Sequence, residues 1–399
     1  MDVGIGISNQ KDILSALNEA LWQAKSQLGK EKPSIGFLFA SPEFSSPSLL
    51  KTLRIYLPDT PIVGASTLAV LFNYKIYRHT LAICLLHSEN LKISLSVVKD
   101  IEKKTALVAG EELGINLIQN FREEKRGFAM TFTTGPLENG SNLIRGLQKI
   151  LGTSFPLVGA CASDNLKFKQ TYIYFNDELL TDAAVGILFG GKIIFSLSSR
   201  HGWKPIGKIH RVTQSKGNLL QEINGQSAVS LYENYFARDI TSLKSDLKYI
   251  STLYPIGIYL EGEEEYLLRN ILFIENDGSL VCQGDIPEES IIRLMIGTKD
   301  SCLYASQQAT EELIREFFSS TLLLEKKLSI IFIFDSTSRY ILLRRLAEIE
   351  LQNIHNVIQK SISNNLIYKN FDIPIIGLYT YGEQAPLKSL HYYGATHLH

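Results

Sequence analysis

The sequence predicts a mixed α/β protein: an internally duplicated N-terminal α/β half followed by a second α/β C-terminal domain. Three observations carry this. First, three segments share one pattern: Pro61–Thr67 (PIVGAST), Pro156–Ser163 (PLVGACAS) and Pro374–Thr380 (PIIGLYT). Each reads as a short buried strand entered through proline and left through glycine. Proline suits the first position of a strand, and glycine lets another backbone or a ligand approach closely. Second, the order of elements around the first segment recurs around the second. Third, the character of the chain changes after Gly207.

In order, Asn9–Leu28 has Ile13, Leu17, Ala20 or Leu21, Ala24 and Leu28 at helical spacing, with Ser8 or Asn9 to cap it and Gly29 to stop it. Ser34–Ala40 is a buried strand, Ser41–Pro47 a turn and Ser48–Leu57 a short helix leading to the first proline–glycine strand. Leu81–Leu86 and Leu91–Val98 read as a hairpin across His87–Asn90. Ile101–Phe121 then reads as a helix, Gly127–Thr133 as a strand, Asn142–Leu151 as a helix, and Pro156 opens the second proline–glycine strand. Asn176–Leu188 echoes Asn73–Leu85, and a strand at Ile194–Ser198 echoes Ile93–Val97. Residues 33–100 and 125–202 are therefore expected to be two copies of one unit, packed with pseudo-twofold symmetry about a cleft.

The boundary is expected near 226, giving domains 1–226 and 227–399. Beyond it, Leu219–Asn224 is strand-like and Ser227–Phe236 helical. Ile256–Leu260 and Tyr266–Glu275 are strands separated by the acidic run Glu261–Glu265, which reads as a solvated loop. Asn276-Asp277-Gly278 is a hairpin turn. Ser306–Phe317 is a helix, Leu328–Phe334 a buried strand, and Tyr340–Ile358 the longest amphipathic helix.

At 399 residues, 45% hydrophobic and 20% charged, the chain belongs to the ordinary globular class. A net charge of −1 argues against a broad nucleic-acid surface. The four cysteines, Cys84, Cys161, Cys282 and Cys302, lie far apart with no CxxC pair, which suits a reducing cytoplasm. No basic-then-apolar leader opens the sequence, and no apolar run approaches the ~18 residues of a bilayer span. A cytoplasmic protein without membrane segments is the expectation.

No P-loop, GxSxG, HExxH or EF-hand motif is present, and no two histidines stand at metal-ligating helical spacing. His201 leads Arg200–Gly207, a loop beside Trp203. A histidine there can present one neutral nitrogen into an apolar pocket with an aromatic wall, as haem ligation requires, although from the residues alone a hydrogen-bonded loop histidine is the first reading. His391 is the second candidate, and without CxxCH any haem b would be held non-covalently. Arg339, in Asp335–Arg339, could clamp a carboxylate or phosphate, with Tyr379, Thr380 and Glu383 close by; an ion pair of Arg339 with Glu383 is the structural alternative. Neither group forms a nucleophile–base set, so an enzyme is not expected.

FPLVGACASDN, TDAAVGILF and GWKPIGKIHRVTQSKGNLLQEINGQSAVSLYENYF resemble the N-terminal half of FIST proteins. LRNILFIENDGSLVCQGDIP, FDSTSR, PIIGLYTYGEQAP and LHYYGAT resemble the FIST C-terminal domain. One departure is Ser336, where the family commonly carries a cysteine. The resemblance implies a sensory, ligand-binding signalling protein. Similar stand-alone bacterial members include haem-binding nitric-oxide sensors of the NosP type, which regulate a histidine kinase or a diguanylate cyclase/phosphodiesterase. Others are proposed to bind small metabolites such as amino acids, and a homo-oligomer is compatible with either. In the haem reading, nitric oxide weakens the bond to His201. In the alternative, Arg339 and the Tyr379–Glu383 turn hold a carboxylate-bearing metabolite. The first two proline–glycine strands are then expected to build the fold and the third to lie nearest the ligand.

Overall fold

The computed structural model describes residues 1–122, 125–135, 140–319, 327–363, 372–386 and 396–398. The chain opens with β1 (Asp2–Ser8), unforeseen in the sequence, and α1 (Ile13–Leu28). Asp12, not Ser8 or Asn9, caps α1 by accepting from Ser15 N. Next come β2 (Ile35–Ala40), α2 (Pro47–Tyr56), β3 (Ile62–Ser66), the small hairpin β4 (Val70–Phe72) and β5 (Lys75–Tyr77), and β6 (Leu81–His87). The same succession follows as β7 (Leu91–Lys99), α3 (Ala106–Asn120), β8 (Arg126–Thr133), α4 (Gly140–Leu151), β9 (Leu157–Cys161), the hairpin β10 (Ile173–Phe175) and β11 (Glu178–Leu180), and β12 (Ala183–Gly191).

Two sequence expectations need correcting here. Leu81–Leu86 and Leu91–Val98 do not form a hairpin. Both edges of β6 are taken by β1 and β2, and β7 pairs with β12, opening the second copy rather than closing the first. Residues 194–198 form no strand.

The change of character after Gly207 falls within one long strand, β13 (Lys204–Lys216). It is followed by β14 (Leu219–Ile223), β15 (Gln226–Ser227), α5 (Ser230–Phe236), α6 (Ile240–Leu253), β16 (Ile256–Ile258), β17 (Leu267–Arg269), β18 (Ile271–Ile274), β19 (Leu280–Cys282) and β20 (Ile291–Ile296). These strands form an antiparallel sheet in the order β17-β16-β20-β13-β14-β19-β18, with β15 on β14. The remainder is α7 (Lys299–Ser319), β21 (Ile331–Ser336), α8 (Thr337–Leu343), α9 (Ala347–Ile362), β22 (Ile375–Thr380), β23 (Gly382–Pro386) and β24 (Thr396–Leu398). The long helix expected over 340–358 is broken at Arg344, whose φ of 53° ends α8. At 21 residues, α7 is the longest helix among the described residues.

The expected two-copy arrangement is a three-copy one. β21, α8 and α9, β22 and the β23–β24 hairpin repeat the pattern of β2–α2–β3–hairpin and β8–α4–β9–hairpin. In each unit the two longer strands pair in parallel, as a βαβ crossover requires. Each unit's hairpin then leaves its own sheet for another: β10–β11 pairs onto β3, β23–β24 onto β9, and β4–β5 onto β22. The turn asparagines fix two of these exchanges. Asn176 Oδ1 accepts from Ile62 N and Asn73 Oδ1 from Ile375 N, each at 3.2 Å, and both asparagines are left-handed.

The proline–glycine strands are thus the three central strands of the exchange. A Cβ on Gly64, Gly159 or Gly377 would stand 1.8 Å from Leu38 O, 2.4 Å from Thr131 O or 1.9 Å from Ile333 O. Only glycine permits that approach. Where these strands end, hydroxyls tie the units together. Ser66 Oγ donates to Ser163 O (3.0 Å), while Ser163 Oγ and Thr67 Oγ1 both donate to Tyr379 O (2.5 and 2.9 Å). All three strands do this packing work, which revises the division of labour expected from the sequence. The largest apolar core joins the units: Phe37 lies 4.9 Å from Phe332, and Phe132 lies 5.8 Å from Phe334. No described helix is long and apolar enough to cross a membrane.

Candidate functional site

β2 is flanked by β6 and β8 by β12, but among the described residues β21 pairs only with β22. Along β21 the chain from Ser196 to His201 runs without strand pairing, and a cavity of about 230 Å³ opens there. Its walls come from β21 (Ile331–Ser336), residues 196–201 and Trp203, α7 (Ser306, Ala309, Thr310, Leu313), Ser338 and Arg339 of α8, Glu350 and Ile354 of α9, and Glu383–Ala385 of β23. Four sequence candidates, His201, Trp203, Arg339 and Glu383, therefore line one cavity.

Arg339 is buried, and both of its Nη atoms are engaged. Nη1 donates to Glu350 Oε1 (2.9 Å), and Nη2 donates to the carbonyls of Arg200 (2.5 Å) and His201 (2.9 Å). Asp335 Oδ1 lies 3.6 Å from Nε. The expected ion pair with Glu383 is replaced by these partners, because α8 turns the guanidinium toward α9. Burial works against the charge, yet Glu350 and Asp335 outweigh it and keep the guanidinium protonated. A free clamp for a carboxylate is not what this arginine offers.

The carboxyls are the unusual groups. Burial pushes Asp335 and Glu350 above the ordinary carboxylate range; the charge of Asp335 adds to the cost of ionising Glu350, while a hydrogen bond with Glu350 favours the ionised form of Asp335. Burial also pushes Glu383 up to about 8, although Thr380 Oγ1 donates to its Oε1. Tyr379 is buried beside Tyr340 (4.9 Å between rings) and is an electrostatic neighbour of Asp335 and Glu350, behind the cavity rather than in it. Glu350 was missed from the sequence. It stands on the apolar stripe of Ala347, Leu351, Ile354 and Ile358, three residues after the first and four before Ile354. A lone acid on that stripe is the signal that could have found it.

His201 is held on every side. Its backbone N–H donates to Glu265 (3.1 Å), its Nδ1 accepts from Trp203 N (2.9 Å), and its Nε2 donates to Tyr266 O (2.8 Å). Burial lowers its pKa to about 3, so the ring is neutral. Iron ligation needs a free nitrogen lone pair, and this ring has none to give, so the residues at His201 do not fit haem. Trp203 packs against Met295, Cys302, Leu343 and Ala347, beside the His201 ring (6.4 Å). His391 lies outside the described residues. The acidic run is also more than solvated: Glu264 pairs with Arg200 (3.0 Å), as does Glu312 (2.7 Å).

Several buried polar atoms have no hydrogen-bond partner among the described residues, and six residues carrying them line this cavity. They are Ser198 Oγ, Arg200 Nε, Trp203 Nε1, Arg339 Nε, Glu350 Oε2 and Gln384 Nε2. Buried polar groups are normally satisfied, so a cluster of orphans around one hollow marks a place for water or a polar ligand. No described cluster of three or more His, Cys, Asp or Glu side chains could hold a metal ion.

The FIST N domain matches residues 34–226, and the FIST C domain matches residues 228–386. An uncharacterised protein of Methanocaldococcus jannaschii, MJ1623, is 27% identical over 157 residues, covering 36% of this chain and 29% of that protein. The chain thus spans less than a third of that relative's length. An uncharacterised protein of Mycobacterium tuberculosis, Rv0628c, is 21% identical over 298 residues, covering 72% of this chain and 74% of its own. With both domain matches in order along most of its length, the chain belongs to the FIST family, whose domains are sensory, ligand-binding modules of signal transduction.

Proposed function

We propose that this protein senses a small metabolite in the cavity along β21 and passes the binding event to a signalling partner. The observation that carries this reading is the set of six orphaned polar atoms on the residues around a hollow of about 230 Å³. Pockets of this kind, mostly apolar with a few convergent polar groups, are the usual form of a small-molecule site. The position suits a sensor. The cavity touches residues 196–201, α7, β21 and β23, so an occupant would bear on the junction where the three units exchange hairpins. A histidine kinase or a diguanylate cyclase/phosphodiesterase is the partner we favour.

The haem-based nitric-oxide reading draws no support from His201, whose two ring nitrogens are occupied. Thermal-shift screening of the full chain against a metabolite library tests the proposal. Ligands of this site should raise the melting temperature of the wild type and fail to do so in Ala309→Phe, which fills the cavity. If every stabilising ligand keeps its effect in that variant, the cavity is not the sensory site.

A further inference from the structure

In the first two units the hairpin leads into a strand that fills a set place: β6 lies between β1 and β2, and β12 between β7 and β8. Each runs antiparallel to both of its neighbours. Aligned on Gly64, Gly159 and Gly377, residues Leu38, Thr131 and Ile333 hold one position in the three units. Ile83 of β6 stands opposite the first and Gly186 of β12 opposite the second. Ile333 has Gly377 on one side, and among the described residues no strand pairs with it on the other. The third sheet lacks its filling strand there.

The opening segment of that third unit is present but unpaired. Ser94 Oγ of β7 donates to Leu117 O of α3 (2.9 Å), and Ser196 Oγ donates in the same way to Leu313 O of α7 (3.0 Å). The sequences ISLS at 93–96 and FSLS at 195–198 match in this register, one place along from the echo read in the sequence. Residues 195–198 therefore hold the place of β7. All nine residues of β7 pair with β12, whereas residues 193–198 make no backbone–backbone hydrogen bond among the described residues. The cavity is walled by this segment and by β21, and it opens both to the helices α7 and α9 and to β9 and β23 of the neighbouring sheet. That is the form of a gap left by one strand. The end of the gap is marked too. Ser41 Oγ accepts from Thr80 N (3.1 Å) and Thr134 Oγ1 from Ala183 N (3.2 Å), each clasping the start of a filling strand. Ser336, at the same position, has its Oγ on Ser338 N instead (3.2 Å).

Resting on the sensor reading above, we infer that the ligand is a short peptide that lies extended between residues 195–198 and β21, antiparallel to both, and completes the third sheet. Its main-chain N–H and C=O groups supply the ladder on both edges, and its first N–H takes the place of Ser338 N on Ser336 Oγ. Strand addition of this kind draws affinity from main-chain hydrogen bonds and selectivity from the pockets that take alternate side chains. Apolar residues, small where the backbones crowd, suit the middle of the peptide, as in Ala-Val-Gly-Ile of β12 and Leu-Ala-Ile-Cys of β6. Four of the six orphaned atoms at the cavity are N–H donors, which suits an occupant rich in carbonyl oxygen.

Hydrogen–deuterium exchange of the full chain with the capped peptide Ac-Ala-Val-Gly-Ile-Leu-NH2, the β12 sequence 184–188, tests this. In the free protein the amides of residues 193–198 should exchange fast, and the peptide should slow exchange there and in residues 331–336 by about tenfold or more. The same peptide with every internal amide N-methylated keeps its side chains but loses the ladder donors, and should bind about tenfold or more weakly. Slow exchange at 193–198 in the free protein would mean that the chain fills the gap itself, and it overturns the inference. So does a peptide that protects neither segment, or a methylated peptide that binds equally well. If the peptide fails while stabilising metabolites lose their effect in Ala309→Phe, the strand inference falls and the cavity stands as the sensory site.

Discussion

The hydroxyl of Ser163 donates to the carbonyl of Tyr379 at 2.5 Å, joining residues 216 positions apart. The same oxygen accepts from Leu68 N at 2.9 Å, so one side chain ties together three segments drawn from all three units. Ser163→Ala would leave the Leu68 N–H without its partner in a fully buried setting. The expected cost is about 1–3 kcal/mol, read as a lower midpoint in urea unfolding. An unchanged midpoint would mean that the hydroxyl junction is not what holds the units together.

Gly377→Ala makes a harsher demand. The added Cβ would lie 1.9 Å from Ile333 O, a backbone atom held in the parallel β21–β22 pair. Separating those strands should cost about 3 kcal/mol or more, at the upper end of overpacking effects. Circular dichroism melts of Gly64→Ala, Gly159→Ala and Gly377→Ala should all fall well below wild type. A Gly377→Ala variant with wild-type stability would contradict the strand pairing itself.

Arg339 is the residue for which the two site readings diverge most clearly. As the partner of Glu350 and of two backbone carbonyls, its loss should destabilise the fold by about 3–5 kcal/mol, because a buried acid is left uncompensated. Arg339→Lys cannot supply the fork and should recover only part of that loss. If Arg339→Ala folds normally and loses only carboxylate binding, the arginine is a ligand clamp after all.

The buried acids give stability a pH signature. Between the ordinary glutamate value of 4.5 and about 8, folded Glu383 keeps a proton that the unfolded chain has released, so stability falls as pH rises through that window. Asp335 and Glu350 act in the same sense. His201 acts oppositely. Its pKa falls from 6.5 to about 3, so from 6.5 downward the unfolded chain takes up a proton that the folded chain refuses. The two slopes oppose each other between 4.5 and 6.5, leaving a clear decline from 6.5 to about 8. Melting temperatures across this range should show it, and Glu383→Gln should flatten the alkaline limb while sparing the acid one.

Haem added to the wild type and to His201→Gln should give the same visible spectrum, because the imidazole nitrogens are already bonded to Trp203 N and Tyr266 O. A Soret band that appears only in the wild type would show that the ring can turn out of this setting to meet iron.

Much of the secondary structure was legible because its signals are local. The proline–glycine strands, the Asn276–Gly278 turn and the echo of Asn73 in Asn176 all rest on backbone preferences of single residues. The break at Arg344 left no such mark, since arginine is ordinarily a good helix former and nothing in its neighbours announces a left-handed residue. Strand partnership was less legible still. Leu81–Leu86 and Leu91–Val98 look like a hairpin because they are adjacent, yet the short link between them carries the chain from one sheet to the next. The site followed the same rule. His201, Trp203, Arg339 and Glu383 could be nominated as chemically capable residues, but nothing local joins Arg339 to its partner Glu350, a lone acid on the apolar stripe of α9.

The hairpin exchange also bears on how this protein can be divided. The two matched domains meet near residue 227, but a cut there would strand the β4–β5 ribbon without β22 and strip β23 from β9. Each fragment would present open sheet edges, the usual templates for aggregation. The two matched domains are therefore expected to melt in one cooperative transition, seen as a single calorimetric peak. Two domains joined by such exchanged strands cannot be swapped like separate cassettes.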